Sequence, residues 1–85
     1  MEKSKVYEIV NEIFKDVFEN EKLTIADETT AKDIDGWDSL THLILINEIE
    51  TKFKIKFTMG EIQSAKNVGE LIDYLIKHIE NITNF

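Results

Sequence analysis

Apolar residues recur at i, i+3 and i+4 through the start of the chain: Val6, Ile9, Val10, Ile13, Phe14, Val17 and Phe18. That spacing follows the helical turn and predicts an amphipathic helix from about Ser4 to Phe18 or Glu19. Glu8, Glu12, Lys15, Asp16 and Glu19 fall on the opposite, solvated face. From Asn20 to Asp38 the periodicity stops. Leu23, Ile25, Ile34 and Trp37 are spread along this stretch, which predicts an ordered loop pinned over the core. The helical period resumes at Ser39 or Leu40 and runs to about Phe53, with Asp38 or Ser39 able to cap it. Thr58 followed by Glu61 forms a capping-box pair and predicts a short helix over about 59–65. Asn67 followed by Glu70 has the same layout and opens a last helix. Its core face carries Val68, Leu71, Ile72, Leu75, Ile76 and Ile79.

The pattern predicts an all-α fold, a four-helix bundle with a long first loop and a short third helix. One domain is expected over residues 1–85, ordered from about 4 to 80, with 81–85 frayed. Composition agrees. Proline is absent and glycine occurs only at 36, 60 and 69, so the turn chemistry of an all-β chain is missing. Without cysteine, neither a disulfide nor a thiolate metal site can staple so small a domain, and helix packing must hold it.

The second helix departs from simple amphipathicity. At about 100° per residue, Leu43, Leu45, Ile46, Ile49 and Phe53 gather on the expected core face. Leu40 and Ile44 point nearly opposite, with Asn47 and Thr51 along the same outward stripe. Periodicity leaves two readings open. Either an apolar stripe is exposed beginning beside Ser39, or the loop covers Leu40 and Ile44 is an isolated surface residue.

Charge narrows the partners. The net charge of −7 comes from 17 acidic and 10 basic residues, and every basic residue is lysine. With no arginine fork for phosphate or base edges, nucleic acid is not an expected partner. An acidic surface suits a basic patch on another protein, although acidity also serves solubility alone. No apolar run nears the roughly 18 residues a bilayer requires. The N-terminus has no signal-peptide core, so a cytoplasmic protein is expected, and the Asn81-Ile82-Thr83 sequon is read as accidental.

Catalytic and metal chemistry fail on spacing. Gly36-Trp37-Asp38-Ser39-Leu40-Thr41 is not the Gly-x-Ser-x-Gly elbow of a hydrolase. His42 lies three residues beyond Ser39 on the core side, without an evident carboxylate to orient it as a base. A calcium loop with Gly36 at its sixth position would need Ala31 and His42 as ligands. Neither can serve. His78, near the end of the last helix, needs no more than a favourable dipole contact. Ser39 sits at a helix start, where an anion is favoured and a phosphate ester would be well placed. Taken alone, a serine there is better explained by simple helix capping.

The segment Asp35-Gly36-Trp37-Asp38-Ser39-Leu40 resembles the attachment motif of acyl carrier proteins, whose core is Asp-Ser-Leu at the start of the second helix. The resemblance covers about residues 4 to 80, including Ile49-Glu50-x-x-Phe53 and Asn67-Val68-x-x-Leu71. It implies a carrier rather than an enzyme. A phosphopantetheinyl transferase would attach 4'-phosphopantetheine from coenzyme A to Ser39, and the arm would hold acyl or aminoacyl groups as thioesters. The partners would be that transferase and the acyl- or aminoacyl-loading and acyl-transfer enzymes, acting on a monomer. Asp38 would belong to the recognised motif. Leu40, Ile44, Asn47 and Trp37 would contribute to partner recognition. The second helix departs from the family's acidic pattern at Thr41, Ile44 and Lys52, followed by Lys54 and Lys56. That departure points to a dedicated pathway, for a polyketide, nonribosomal peptide, sugar or lipid, rather than housekeeping fatty acid synthesis. The alternative is an acidic helical interaction module that uses the Leu40–Ile44 stripe without a cofactor.

Overall fold

The structure, a computed structural model, describes residues 2–83, with side chains through residue 81. Its helices are α1 (Lys3–Val17), α2 (Ser39–Phe53), α3 (Met59–Ser64) and α4 (Val68–Thr83). The all-α architecture, the long first connection and the short third helix match the expectation. Helix α4 continues three residues past Glu80, where the ordered part had been expected to end. Residues 84 and 85 lie outside the described residues.

Each long helix turns one apolar face inward. Val6, Val10 and Phe14 of α1 meet Leu45, Ile46 and Ile49 of α2 and Val68, Leu71, Ile72 and Leu75 of α4. All are buried, and each large side chain removed from water contributes about 1.5–3 kcal/mol. Ile55 and Phe57 close the core from the α2–α3 connection. Ile25 and Ile34 are also buried, so the loop lies over the bundle as a structured cover.

Backbone chemistry explains why the loop stays down. Asn11, on α1, donates through Nδ2 to the Leu23 carbonyl at 3.2 Å and accepts from the Ile25 amide at 2.8 Å. One amide side chain thereby stands in for a strand partner. Farther along, Thr29 and Asp27 offer their carbonyls to the Val68 and Gly69 amides, both at 2.9 Å. These amides have no partner within their own helix, and the loop supplies one. The approach is close: a Cβ on Gly69 would sit 3.0 Å from the Asp27 carbonyl oxygen.

Among the described residues, one buried side-chain group is left without a hydrogen-bond partner. The Tyr7 hydroxyl makes no hydrogen bond among the described residues. Leaving such a group unsatisfied costs about 1–3 kcal/mol. Tyr7→Phe is therefore expected to raise stability by about 1 kcal/mol. An increased urea midpoint with an unchanged m-value would be the signature.

Candidate functional site: the start of helix α2

The turn before α2 is held in place from both sides. Gly36 has a φ of +88°, a conformation costly for any residue with a Cβ. Trp37 follows, half-buried, with its ring edge-on to Phe14 at 5.3 Å and tilted against Phe18 at 6.0 Å. The indole is thus the anchor that carries the core's contact to the helix start.

Asp38, not Ser39, is the N-cap. Its Oδ1 accepts from the Thr41 amide at 3.0 Å, while Thr41 Oγ1 accepts from the Asp38 amide at 2.7 Å. The Thr41 hydroxyl donates to the Gly36 carbonyl at 2.7 Å, closing the turn on itself. The Thr41 amide, and then its hydroxyl, hold the Asp38 carboxyl below the usual carboxylate range. Ser39 is therefore spared the capping role. Its side chain is exposed and carries no hydrogen bond among the described residues. An unengaged hydroxyl at the positive end of a fifteen-residue helix can take a phosphate ester without losing a structural contact.

The surroundings of Ser39 are apolar on one side. Leu40 is 69% exposed and Ile44 46%, so the outward stripe is present, with Asn47 and Thr51 exposed along it. Leu43 corrects the expectation. It had been assigned to the core, but it is 54% exposed. The buried trio Leu45, Ile46 and Ile49 sets the rotation of α2, and Leu43 lies about 110° from their mean direction. It flanks an open groove of about 720 Å³ that begins at Ser39 and runs between α2 and α3. Trp37, His42, Ile62 and Leu71 supply its apolar walls, while Gln63, Lys66 and Asn67 mark its polar end. Met59, 64% exposed at the start of α3, faces the same groove. Met59 gave no periodic signal because α3 is too short to establish one.

Both ring nitrogens of His42 are engaged. Nδ1 lies 3.1 Å from Trp37 Nε1, and Nε2 lies 3.2 Å from the Ile62 carbonyl. The histidine is packed between elements and is not available as a base for Ser39. His78 plays a comparable structural part. Its Nε2 meets Glu61 Oε1 at 2.8 Å, and Glu61 also accepts from the Thr58 amide in the α3 capping box. Burial opposes the Glu61 carboxylate. The His78 and Thr58 hydrogen bonds and the imidazolium charge outweigh that penalty and hold its pKa below the ordinary value. A depressed folded pKa gives stability that is complete above about pH 4.5 and lost as pH falls through the folded value. Acid titration should therefore loosen α3. In Glu61→Gln that acid-dependent part of the stability loss, followed by thermal melts at stepped pH, should be absent.

A family model described as the phosphopantetheine attachment site matches residues 8–75. The solution structure of holo acyl carrier protein from Geobacter metallireducens superposes with a TM-score of 0.85 at 40% identity, covering 94% of this chain and 93% of its own. This chain belongs to the acyl carrier protein family. The crystal structure of the acyl carrier protein of Thermotoga maritima is similar too, with a TM-score of 0.83, 30% identity and coverage of 96% and 95%. An acyl carrier protein of Phytoplasma mali is 28% identical over 76 residues, 89% of this chain and 90% of its own length. Members of this family are carriers, and the group they hold covalently is 4'-phosphopantetheine. The helix start fits such a group: it offers an exposed hydroxyl with no hydrogen bond among the described residues, beside a largely apolar groove. No helix among the described residues is long and apolar enough to cross a membrane.

Proposed function

We infer that this acyl carrier protein bears phosphopantetheine on the Ser39 hydroxyl and presents acyl or aminoacyl groups to biosynthetic enzymes. The observation that carries the reading is that Asp38 caps α2 and leaves the Ser39 side chain exposed, with no hydrogen bond among the described residues. When bound, the arm supplies a terminal thiol that holds cargo as a thioester. The chain contains no cysteine, so no protein thiol competes for that cargo. Asp38 and Thr41 hold the Ser39 backbone fixed while a phosphopantetheinyl transferase approaches. Leu40, Ile44 and Asn47, all exposed, offer the partner an apolar strip with a polar end. Trp37 braces the start of α2 through its contacts with Phe14, Phe18 and His42. The chain itself catalyses nothing: it acts as a cytoplasmic monomer on which partner enzymes work.

A dedicated pathway fits better than housekeeping fatty acid synthesis. Support comes from the face α2 turns outward, where Leu40, Leu43 and Ile44 are exposed and carboxylates are few. Apolar contact gains more from close fit than from long-range steering, and so suits a small set of matched partners.

The test is loading. Purified protein is incubated with coenzyme A, magnesium and a broad-specificity phosphopantetheinyl transferase, and its intact mass is recorded. A gain of one phosphopantetheine is expected; an unchanged mass, under conditions that load a known carrier, would reject the reading in favour of a cofactor-free interaction module. Ile44→Asp is expected to melt within about 1 kcal/mol of the parent, because Ile44 is nearly half exposed. The same change should reduce acyl transfer to partners about tenfold, as seen in kcat/KM with the carrier as varied substrate.

A further inference from the structure

Helix α3 is six residues long and none of its side chains is fully buried. Ile62 packs against the core only in part, and polar contacts supplement it. Glu61 reaches His78 and the Ser64 hydroxyl meets Tyr74 Oη at 3.1 Å, both on α4. Toward α2, the bond between His42 Nε2 and the Ile62 carbonyl is the only hydrogen bond among the described residues. This makes His42 the one polar tie across the groove that starts at Ser39.

The chemistry of that tie is determined by its neighbour. An indole N–H can only donate, so Nδ1 of His42 must accept from Trp37. The ring proton then sits on Nε2 and is donated to the Ile62 carbonyl. The two rings also stack, with centroids 5.9 Å apart and planes 25° from parallel. A continuous chain therefore runs from the loop through α2 to α3: Trp37 N–H to His42, and His42 N–H to Ile62. Trp37 is braced in turn against Phe14. Any shift of α3 away from α2 must break this chain or drag the indole from its aromatic contacts.

We propose that His42 is a positioning residue: as a strut between Trp37 and Ile62, it sets the width of the groove beside Ser39 and so determines how well that groove shelters cargo long enough to enter it. The cargo part rests on Ser39 being the tether. The strut itself rests on the hydrogen bonds alone.

Three substitutions separate its two halves. In His42→Gln the terminal amide N–H replaces Nε2 and can reach Ile62. In His42→Asn the shorter amide oxygen replaces Nδ1 and accepts from Trp37. His42→Leu fills similar space and makes neither bond. The first readout is amide exchange in the unloaded, full-length protein. In His42→Leu and His42→Asn, the Ile62 and Ala65 amides should exchange about fivefold faster, with the α1 core amides unchanged. His42→Gln should restore the parental α3 rates while its indole N–H resonance shifts. The second readout is the rate at which hydroxylamine cleaves two thioesters, octanoyl and acetyl, on the loaded carrier. His42→Leu should speed octanoyl cleavage about threefold and leave acetyl, too short to fill the groove, unchanged. His42→Gln should return the octanoyl rate to the parental one.

Unchanged α3 exchange in His42→Leu, or equal acceleration of every core amide, would overturn the strut. An equal effect on both thioesters, or on neither, would overturn its role toward cargo. A parental protein that cannot be loaded would refute the Ser39 tether, whereas the exchange measurements would still decide the strut.

Discussion

Phe14→Ala is expected to destabilise the domain by about 3–5 kcal/mol. Phe14 is fully buried on α1, where its ring meets Phe18 at 5.9 Å and receives the edge of Trp37 at 5.3 Å. Truncation removes the transferred surface and leaves a cavity whose walls belong to α1 and to the loop before α2. Neither can collapse freely, because Asn11 and the α4 amides hold that loop down. A chain of this length has about 4–13 kcal/mol of stability in all, so one substitution would consume much of it. Urea unfolding should show a much lower midpoint. Trp37 is the only tryptophan, so its fluorescence should report the loss at the turn that carries Ser39.

Ser39→Ala should abolish phosphopantetheine loading while leaving the fold intact. The two effects separate because capping and tethering belong to different residues. Asp38 holds the Thr41 amide, and Ser39 makes no hydrogen bond that alanine would remove. The melting temperature should change by no more than about 0.5 kcal/mol of stability would produce, as for an ordinary surface site. Asp38→Ala should do the reverse in part. Losing the cap costs about 1 kcal/mol and loosens the Ser39 backbone, so loading should slow without disappearing.

The helices were legible because each carries either apolar spacing over several turns or a capping pair. Thr58 with Glu61 behaves as the pattern predicts, each side chain bonded to the other's amide. Asn67 is subtler: it accepts from Glu70, but Glu70 reaches back to the Lys66 amide, and the loop carbonyls complete the cap. Such long-range partners leave no local trace in sequence. The same holds for Asn11, a polar residue beside the apolar stripe that proves to be the loop's main clamp.

Leu43 shows where periodicity runs short. A residue on the flank of a helix is buried or bare according to what packs beside it, and α3 stops short of covering Leu43. The exposed stripe at Leu40 and Ile44 lay farther from the core direction and was correspondingly easier to read. At the site, the sequence left Asp38 and Ser39 as rival caps. The geometry separates them, and the hydroxyl that had looked like a helix cap is left without a structural task. His42 was expected on the core side of the helix, yet nothing in the spacing indicated that Trp37 and Ile62 would occupy its two nitrogens.

The carrier function turns on where the arm is attached. The direct measurement is fragmentation of proteolytic peptides from the loaded protein, which locates the arm among the hydroxyl side chains. Phosphopantetheine is expected on Ser39 and on no other residue. An arm found on Thr41, Ser4 or Ser64, or loading that persists in Ser39→Ala, would contradict it.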